Sequence, residues 1–205
     1  MRKKSTIIIA AAVLALFVFG FIILSKNEWG LNMQNKDYQW YHGPQPYLGI
    51  SFKYPNHWRL MEDKGKIDSY TQAVVIGPRN ADDTYASTFV LRGSPLKNKN
   101  GRFENIEQLK QNYVTHLYKN PSFLSQSSAK VQNHLAEDIT VIYTLPPMHH
   151  KGLKSKEVPV KARALFVQNG DNLYEFIYNA DEKEFEKYIT EFESVLKSLR
   201  FDKVS

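Results

Sequence analysis

Residues Leu173–Phe201 read LYEFIYNADEKEFEKYITEFESVLKSLRF, and the rest of the chain is organised around this segment. Its first part is rich in large apolar residues over a length typical of a strand. Its second part repeats apolar residues at intervals of three and four, which places them on one face of an α-helix. The residues on that face are Phe185, Tyr188, Ile189, Phe192, Val195, Leu196 and Leu199. Burying each large side chain contributes about 1.5–3 kcal/mol, more than a surface charge does, so we expect this helix to pack on a sheet.

The start of this helix is predicted at Asp181. Aspartate is a favoured N-cap residue, and Glu184 stands three residues later, as in a capping box. Ala180 and Phe185 occupy the positions of a hydrophobic staple. The pattern therefore predicts a strand that runs directly into a capped helix.

The strand before the helix carries apolar residues on both of its faces. Tyr174, Phe176 and Tyr178 share one face and Ile177 lies on the other, because successive side chains of a strand alternate. This distribution favours a sheet that is covered on both sides. The strand is also the second arm of a predicted hairpin across 169–172, where an Asn-Gly pair supplies the positive-φ positions that a tight turn needs.

The rest of the chain contains runs of strands, each followed by a helix. Asn105 is the predicted N-cap of the first helix, which an Asn-Pro pair at 120–121 ends. This order indicates an α+β fold with an antiparallel sheet flanked by helices, rather than a doubly wound parallel sheet. The predicted strands are 47–54, 58–61, 72–76, 86–91, 139–145, 160–168 and 173–178.

The N-terminal region has the pattern of a membrane anchor. Residues 7–24 are uncharged and apolar, and at ~1.5 Å per residue they come close to the thickness of a bilayer's hydrocarbon core. A cleaved signal peptide and a buried core helix are the alternatives, but no small-x-small cleavage site follows the run. Basic residues within 1–6 predict that this stub stays in the cytoplasm. We therefore expect one N-terminal transmembrane helix in the plasma (inner) membrane, with the remainder of the chain outside.

The exported part divides into a linker and a domain. Residues 25–46 contain glycine and proline without sustained periodicity, which is typical of a linker, although we expect Trp40 and Tyr41 to pack on the domain. Residues 47–205 are long enough to form a single domain with its own core.

Composition excludes several classes of function. Half of the formal net charge of +6 comes from Arg2, Lys3 and Lys4, so the basic balance is largely a signal of topology. No dense basic face is visible, and no nucleic-acid partner is predicted. The chain has no cysteine, which rules out both lipid attachment through cysteine and a cysteine nucleophile.

No motif of catalysis or of phosphate binding is present. No G-x-S-x-G surrounds a serine, and neither glycine-rich phosphate loop occurs. His149 and His150 are the tempting metal ligands, but neighbours in an extended chain point to opposite sides and no third ligand is indicated. We predict no catalytic residue, no metal ligand and no cofactor.

One loop suggests a contact surface. Between residues 148 and 161 it carries Lys151, Lys154, Lys156 and Lys161 against a single glutamate, Glu157. The functional interpretation is a basic contact for an anionic lipid surface or an acidic protein. The alternative is an ordinary solvated loop.

Two stretches resemble the PsbP family, named for an extrinsic subunit of photosystem II. Phe52-Lys-Tyr-Pro-Asn-His-Trp58 is similar to the F-x-Y-P-x-x-W opening of that family, and Phe166–Phe201 is similar to its closing hairpin, helix and short strand. The resemblance covers about 47–201. It implies an α/β/α sandwich around an antiparallel sheet and a family of non-enzymatic binding and assembly factors, including exported bacterial proteins. Members do unrelated work, so the fold does not settle the function.

The sequence as a whole predicts a non-enzymatic binding or assembly module, held in the lipid bilayer by 7–24 and acting on an unidentified protein partner. Two other classes stay open. A metal-binding exported domain needs three or more converging ligands, and a hydrolase needs a base and a nucleophile in one pocket.

Overall fold

A computed structural model of the chain describes residues 38–43, 49–67, 70–147 and 156–202. The stub 1–6, the predicted anchor 7–24 and most of the predicted linker lie outside these ranges, as do His149, His150, Lys151 and Lys154. In the ranges that are described, no helix has both the length and the apolar character needed to cross a bilayer.

The centre of the fold is a seven-stranded sheet in the order β3-β4-β5-β9-β8-β7-β6. Every pairing in it is antiparallel, which confirms the predicted α+β class with an antiparallel sheet. Its strands are β3 Arg59–Ile67, β4 Tyr70–Arg79, β5 Ala86–Pro95, β6 Ser122–Val131, β7 His134–Leu145, β8 Val158–Asn169 and β9 Asn172–Asp181.

A second sheet has three strands in the order β1-β2-β10. They are β1 Tyr38–His42, β2 Ile50–Pro55 and β10 Arg200–Phe201. Strand β1 falls inside the segment that the sequence suggested as a linker, and its Tyr41 is only 3% exposed, beside Phe52. The folded unit thus starts before residue 47, because β1 pairs in this small sheet and contributes to the core.

Each face of the large sheet is covered by one helix. Helix α2, Phe185–Ser198, packs on β2, β5 and β9, and helix α1, Ile106–Thr115, packs on β8. Strand β9 faces both ways as predicted: Tyr174, Phe176 and Tyr178 belong to the core under α2, and Ile177 belongs to the core under α1.

The predicted cap of α1 is confirmed, whereas that of α2 is wrong. Asn105 Oδ1 accepts a hydrogen bond from the Gln108 amide at 3.0 Å. Asp181 instead ends β9, and its carboxylate accepts hydrogen bonds from the Lys183 amide and from the Asn80 side chain. A turn separates it from α2, whose N-cap position is Glu184 without a side-chain cap. Asp181 does not cap α2 because both of its carboxylate oxygens already accept these hydrogen bonds.

Strand β6 was not predicted from the sequence. It consists of SFLSQSSAKV, in which the first seven side chains are all exposed, so it shows no alternation between an apolar and a polar face. The helix before it, α1, ends at Thr115 rather than near residue 120, so a short connection separates α1 from β6. Its conformation depends on pairing with β7 over its whole length.

Candidate functional site

The described lysines of the predicted basic loop are neutralised within the chain. Lys156 Nζ lies 2.6 Å from Asp82 Oδ2, and this contact lowers the pKa of Asp82 and raises the pKa of Lys156. Lys161 lies in β8, where its Nζ is 2.7 Å from Glu186 Oε1 and 4.4 Å from the centre of the Phe185 ring. These two lysines are therefore held by different partners, while the contact role of the full set remains a prediction.

A cavity of about 420 Å³ lies between α1 and the central strands β5 and β9. Its floor is apolar, with Leu109 from the helix and Leu173 and Ile177 from β9 almost fully buried. The volume is within the usual range for small-molecule sites, which are concave and mostly apolar with a few polar groups. Two kinds of buried polar group line this cavity: a carboxylate and tyrosine hydroxyls.

The first of these groups is a buried carboxylate. Glu175 is 5% exposed and accepts a hydrogen bond from Arg92 Nη1 at 3.0 Å, while Arg92 Nε donates to Gln72 Oε1 at 2.7 Å. Gln72, Arg92 and Glu175 form a row across β4, β5 and β9, because each is opposite the next in the strand register. Burial raises the pKa of Glu175, and the guanidinium of Arg92 opposes that rise.

Tyrosine hydroxyls form the second group. Tyr143 donates to Asn179 Oδ1 at 3.3 Å, and burial raises the pKa of its hydroxyl. Tyr113, on α1, has a buried hydroxyl with no hydrogen-bond partner in the described part of the chain, and burial raises its pKa as well. Buried polar groups in proteins nearly always have a partner from the protein, water or a ligand, so an unpaired hydroxyl in a cavity calls for an explanation.

The rim of the cavity is basic. Arg102 and His116 are exposed and contribute to the lining, and Glu175 is the sole acidic residue among the lining residues. Arg102 forms no ion pair with a described carboxylate, and its guanidinium lies 5.5 Å from the centre of the Phe103 ring. Because Arg92 already balances Glu175, the cavity has an excess of positive charge.

The outer edge of β6 is a second candidate surface. β6 ends the described sheet, with β7 as its one neighbour there, so its other edge has backbone groups without a strand partner. The register shifts between Phe123 and Ser125, and the two apolar side chains at this irregularity, Phe123 and Leu124, are 45% and 52% exposed.

No metal centre is formed by the described residues: nowhere in those ranges do three or more His, Asp or Glu side chains converge. The pair His149–His150 lies outside the description, so its role is untested.

Sequence reasoning missed the cavity residues and the β6 edge. One signal was available: Glu175 is an acid at the centre of a strand that is apolar on both faces, and such an acid needs a buried partner. That the partner is Arg92 depends on β5 and β9 being neighbours, which the order along the chain does not reveal.

Comparison of the sequence with protein-family models and with curated proteins finds no match. Solved structures with the same fold do exist. Cyanobacterial PsbP (CyanoP) from Synechocystis is 14% identical with a TM-score of 0.51, covering 80% of this chain and 92% of that one. LpqN, described as involved in cell envelope biogenesis of Mycobacterium tuberculosis, is 12% identical with a TM-score of 0.52, covering 83% and 94%. The chain therefore has the PsbP-like fold.

Proposed function

We propose that this protein is a non-enzymatic accessory module that is held outside the plasma membrane by residues 7–24 and binds another protein through the edge of β6. The stub 1–6 stays in the cytoplasm in this arrangement. The partner contributes an extended segment that pairs with Ser122–Val131 as an additional strand.

The observation that carries the proposal is the character of β6. A long edge strand is a template for pairing, and proteins usually blunt such an edge with charges, proline or strong bulges. In β6 the seven exposed residues 122–128 are all uncharged, and Lys130 is the one charged residue of the strand. Between the register shift at Phe123–Ser125 and Lys130 the edge has neither charge nor proline, which fits recognition by strand addition, in which backbone hydrogen bonds supply affinity and side-chain contacts supply specificity.

Phe123 and Leu124 supply the apolar contact that such an interface needs. Both are exposed where the register shifts, at one end of the strand. Burial of large apolar side chains against a partner contributes to the free energy of binding. The proposal therefore places the partner's apolar contacts beside these two residues and its backbone pairing along the serine-rich part.

The proposed location rests on the sequence. The uncharged run 7–24 follows a basic stub, which is the pattern of an N-terminal anchor with the downstream domain outside. Protease treatment of intact spheroplasts tests the topology: we expect the domain to be degraded and the anchor fragment to stay with the membrane, whereas full protection would contradict it.

Site-specific photocrosslinking of the full chain in native membranes tests the interface. A photoreactive phenylalanine at Ser127 should yield an adduct with one other protein, and the same group at Gln111, exposed on α1, should not. Ser125→Lys with Leu124→Lys should abolish the adduct, because edge charges oppose strand addition. The control is Gln111→Lys with Thr115→Lys, which adds the same charge on α1. An adduct with a second copy of this chain, or none, overturns the proposal.

A further inference from the structure

We infer that the cavity between α1 and the central strands is a binding site for a small carboxylic acid with a compact apolar body. The site is separate from the proposed β6 interface and concerns a different class of ligand. Its acid group would lie toward the rim at Arg102 and its body on the floor, in the same cavity that Tyr113 lines.

The apolar part of the ligand follows from the floor. Leu109, Leu173 and Ile177 are each at most 3% exposed and line one continuous cavity of about 420 Å³. Aliphatic side chains on the floor favour an apolar body on the ligand, while the polar lining residues face its polar group, and sites of similar volume bury most of the surface of a small molecule. The floor therefore selects for an aromatic or branched aliphatic body.

The acid group follows from the charges. Glu175 is the one carboxylate among the lining residues and is already paired with Arg92 at 3.0 Å. Arg102 has no carboxylate partner among the described residues, and His116 adds a second basic group at the rim. A guanidinium forms bidentate hydrogen bonds with a carboxylate, and such charge-assisted bonds are stronger than neutral ones. The lining thus has a free partner for one anionic group and none for a cation.

The Tyr113 hydroxyl is a further polar group of the cavity. Its hydroxyl is buried without a partner in the described structure, and a buried hydroxyl left unpaired costs free energy. Donation of this hydrogen bond to a ligand oxygen removes the cost. The same residue therefore lowers the stability of the empty protein and strengthens binding of the ligand.

Calorimetry on the full chain in lipid nanodiscs, with empty nanodiscs as the reference, tests the inference. The probes are 4-phenylbutyrate, 4-phenyl-1-butanol and 4-phenylbutylamine, which share one body and differ in charge. We expect the acid to bind, the alcohol to bind about tenfold more weakly and the amine not to bind, since a charge-assisted hydrogen bond is worth about one decade in affinity. Equal binding of the three probes, or no binding of the acid, would overturn the inference.

Two variants then separate binding from folding. Tyr113→Phe should weaken binding of 4-phenylbutyrate several-fold while the protein unfolds at the same or higher urea concentration, since the variant removes an unpaired hydroxyl and leaves no new one. Arg102→Gln should weaken binding about tenfold, and Arg59→Gln, an exposed arginine outside the cavity, should not. Wild-type affinity in both cavity variants would overturn the assignment of the acid group.

Discussion

Arg92 and Glu175 lie directly opposite each other on the neighbouring central strands β5 and β9, with Nη1 3.0 Å from Oε2. The two side chains are not equally buried: that of Arg92 is 41% exposed and that of Glu175 is 7% exposed. The arginine thus reaches solvent at the cavity while the carboxylate lies beneath it. Because Arg92 balances its charge, the Glu175 carboxylate can occupy the centre of an apolar sheet.

Replacing Arg92 with methionine should destabilise the protein by about 2–3 kcal/mol at neutral pH. The variant leaves Glu175 buried without a charge partner, which is the costly way to break an ion pair. The expected loss is below the range for a fully buried pair because Arg92 is partly exposed. Urea unfolding followed by circular dichroism measures it. Glu175→Gln is the matched control, since an amide still accepts the Arg92 hydrogen bond and the loss should be smaller.

The cost of Arg92→Met should also depend on pH. Burial already raises the pKa of Glu175 above the ordinary 4.5, and loss of the guanidinium raises it further. The folded variant then holds a proton that the unfolded chain has released, so its stability falls as pH rises from the unfolded pKa to the folded one. Unfolding at pH 5 and at pH 8 should show the larger deficit at pH 8. A deficit independent of pH would contradict this account of Glu175.

Trp58 and Gly77 are in close contact under the second helix. A Cβ at Gly77 would lie 2.5 Å from Cζ3 of Trp58, a residue that is 2% exposed and whose ring stacks on Phe89 at 4.3 Å. Gly77→Ala should therefore displace the ring and cost about 1–3 kcal/mol. Urea unfolding with tryptophan fluorescence measures both effects. In a Trp58→Phe background the same substitution should cost less, because the smaller ring leaves room, and strict additivity would exclude the clash as the cause.

The four predicted contact lysines should not contribute equally to binding of an anionic surface. Lys156 and Lys161 are already paired with Asp82 and Glu186, so their charges are partly neutralised within the chain. We expect Lys151→Gln with Lys154→Gln to reduce the binding of vesicles containing phosphatidylglycerol more than Lys156→Gln with Lys161→Gln does. Co-sedimentation at low and moderate salt measures this. Binding that is insensitive to salt and to both pairs would reject the basic contact surface.

The elements predicted well from the sequence are those whose patterns record burial on a defined face. The spacing of apolar residues in α2 and β9 predicts which of their faces are buried, and Asn105 predicts where α1 begins. Strand β6 has no such pattern, because its exposed serine-rich side chains do not alternate between apolar and polar. Its extended conformation depends on backbone pairing with β7. Local pattern therefore predicts an element when its side chains face a core, and fails when backbone pairing alone sustains it.

The candidate cavity could not be predicted from the sequence, for a related reason. Arg92 and Glu175 are far apart along the chain, and Tyr113 comes from a helix on a third segment. Only the strand order β5-β9 and the packing of α1 on this face bring the three into one cavity. A charge inside an apolar strand can be noticed in a sequence, but its partner is set by topology.

Asn80 binds the Asp181 carboxylate and so keeps it from capping α2. Its Oδ1 accepts hydrogen bonds from the amides of Thr84 and Tyr85 at 2.9 and 3.0 Å, and its Nδ2 donates to Asp181 Oδ2 at 2.7 Å. Asn80→Ala leaves these groups without their partner and should cost about 1–3 kcal/mol in urea unfolding.

Asn80→Asp separates the two halves of this network. The new carboxylate still accepts from the two amides, but it faces Asp181, and two close carboxylates do not both ionise readily. One pKa of the pair is then raised in the folded state, so the stability of Asn80→Asp should fall as pH rises from about 4 to 7, since the folded chain retains the extra proton. Asn80→Ala should show no such additional slope. Parallel pH profiles for the two variants would mean that the Asn80–Asp181 contact does not hold the turn before α2.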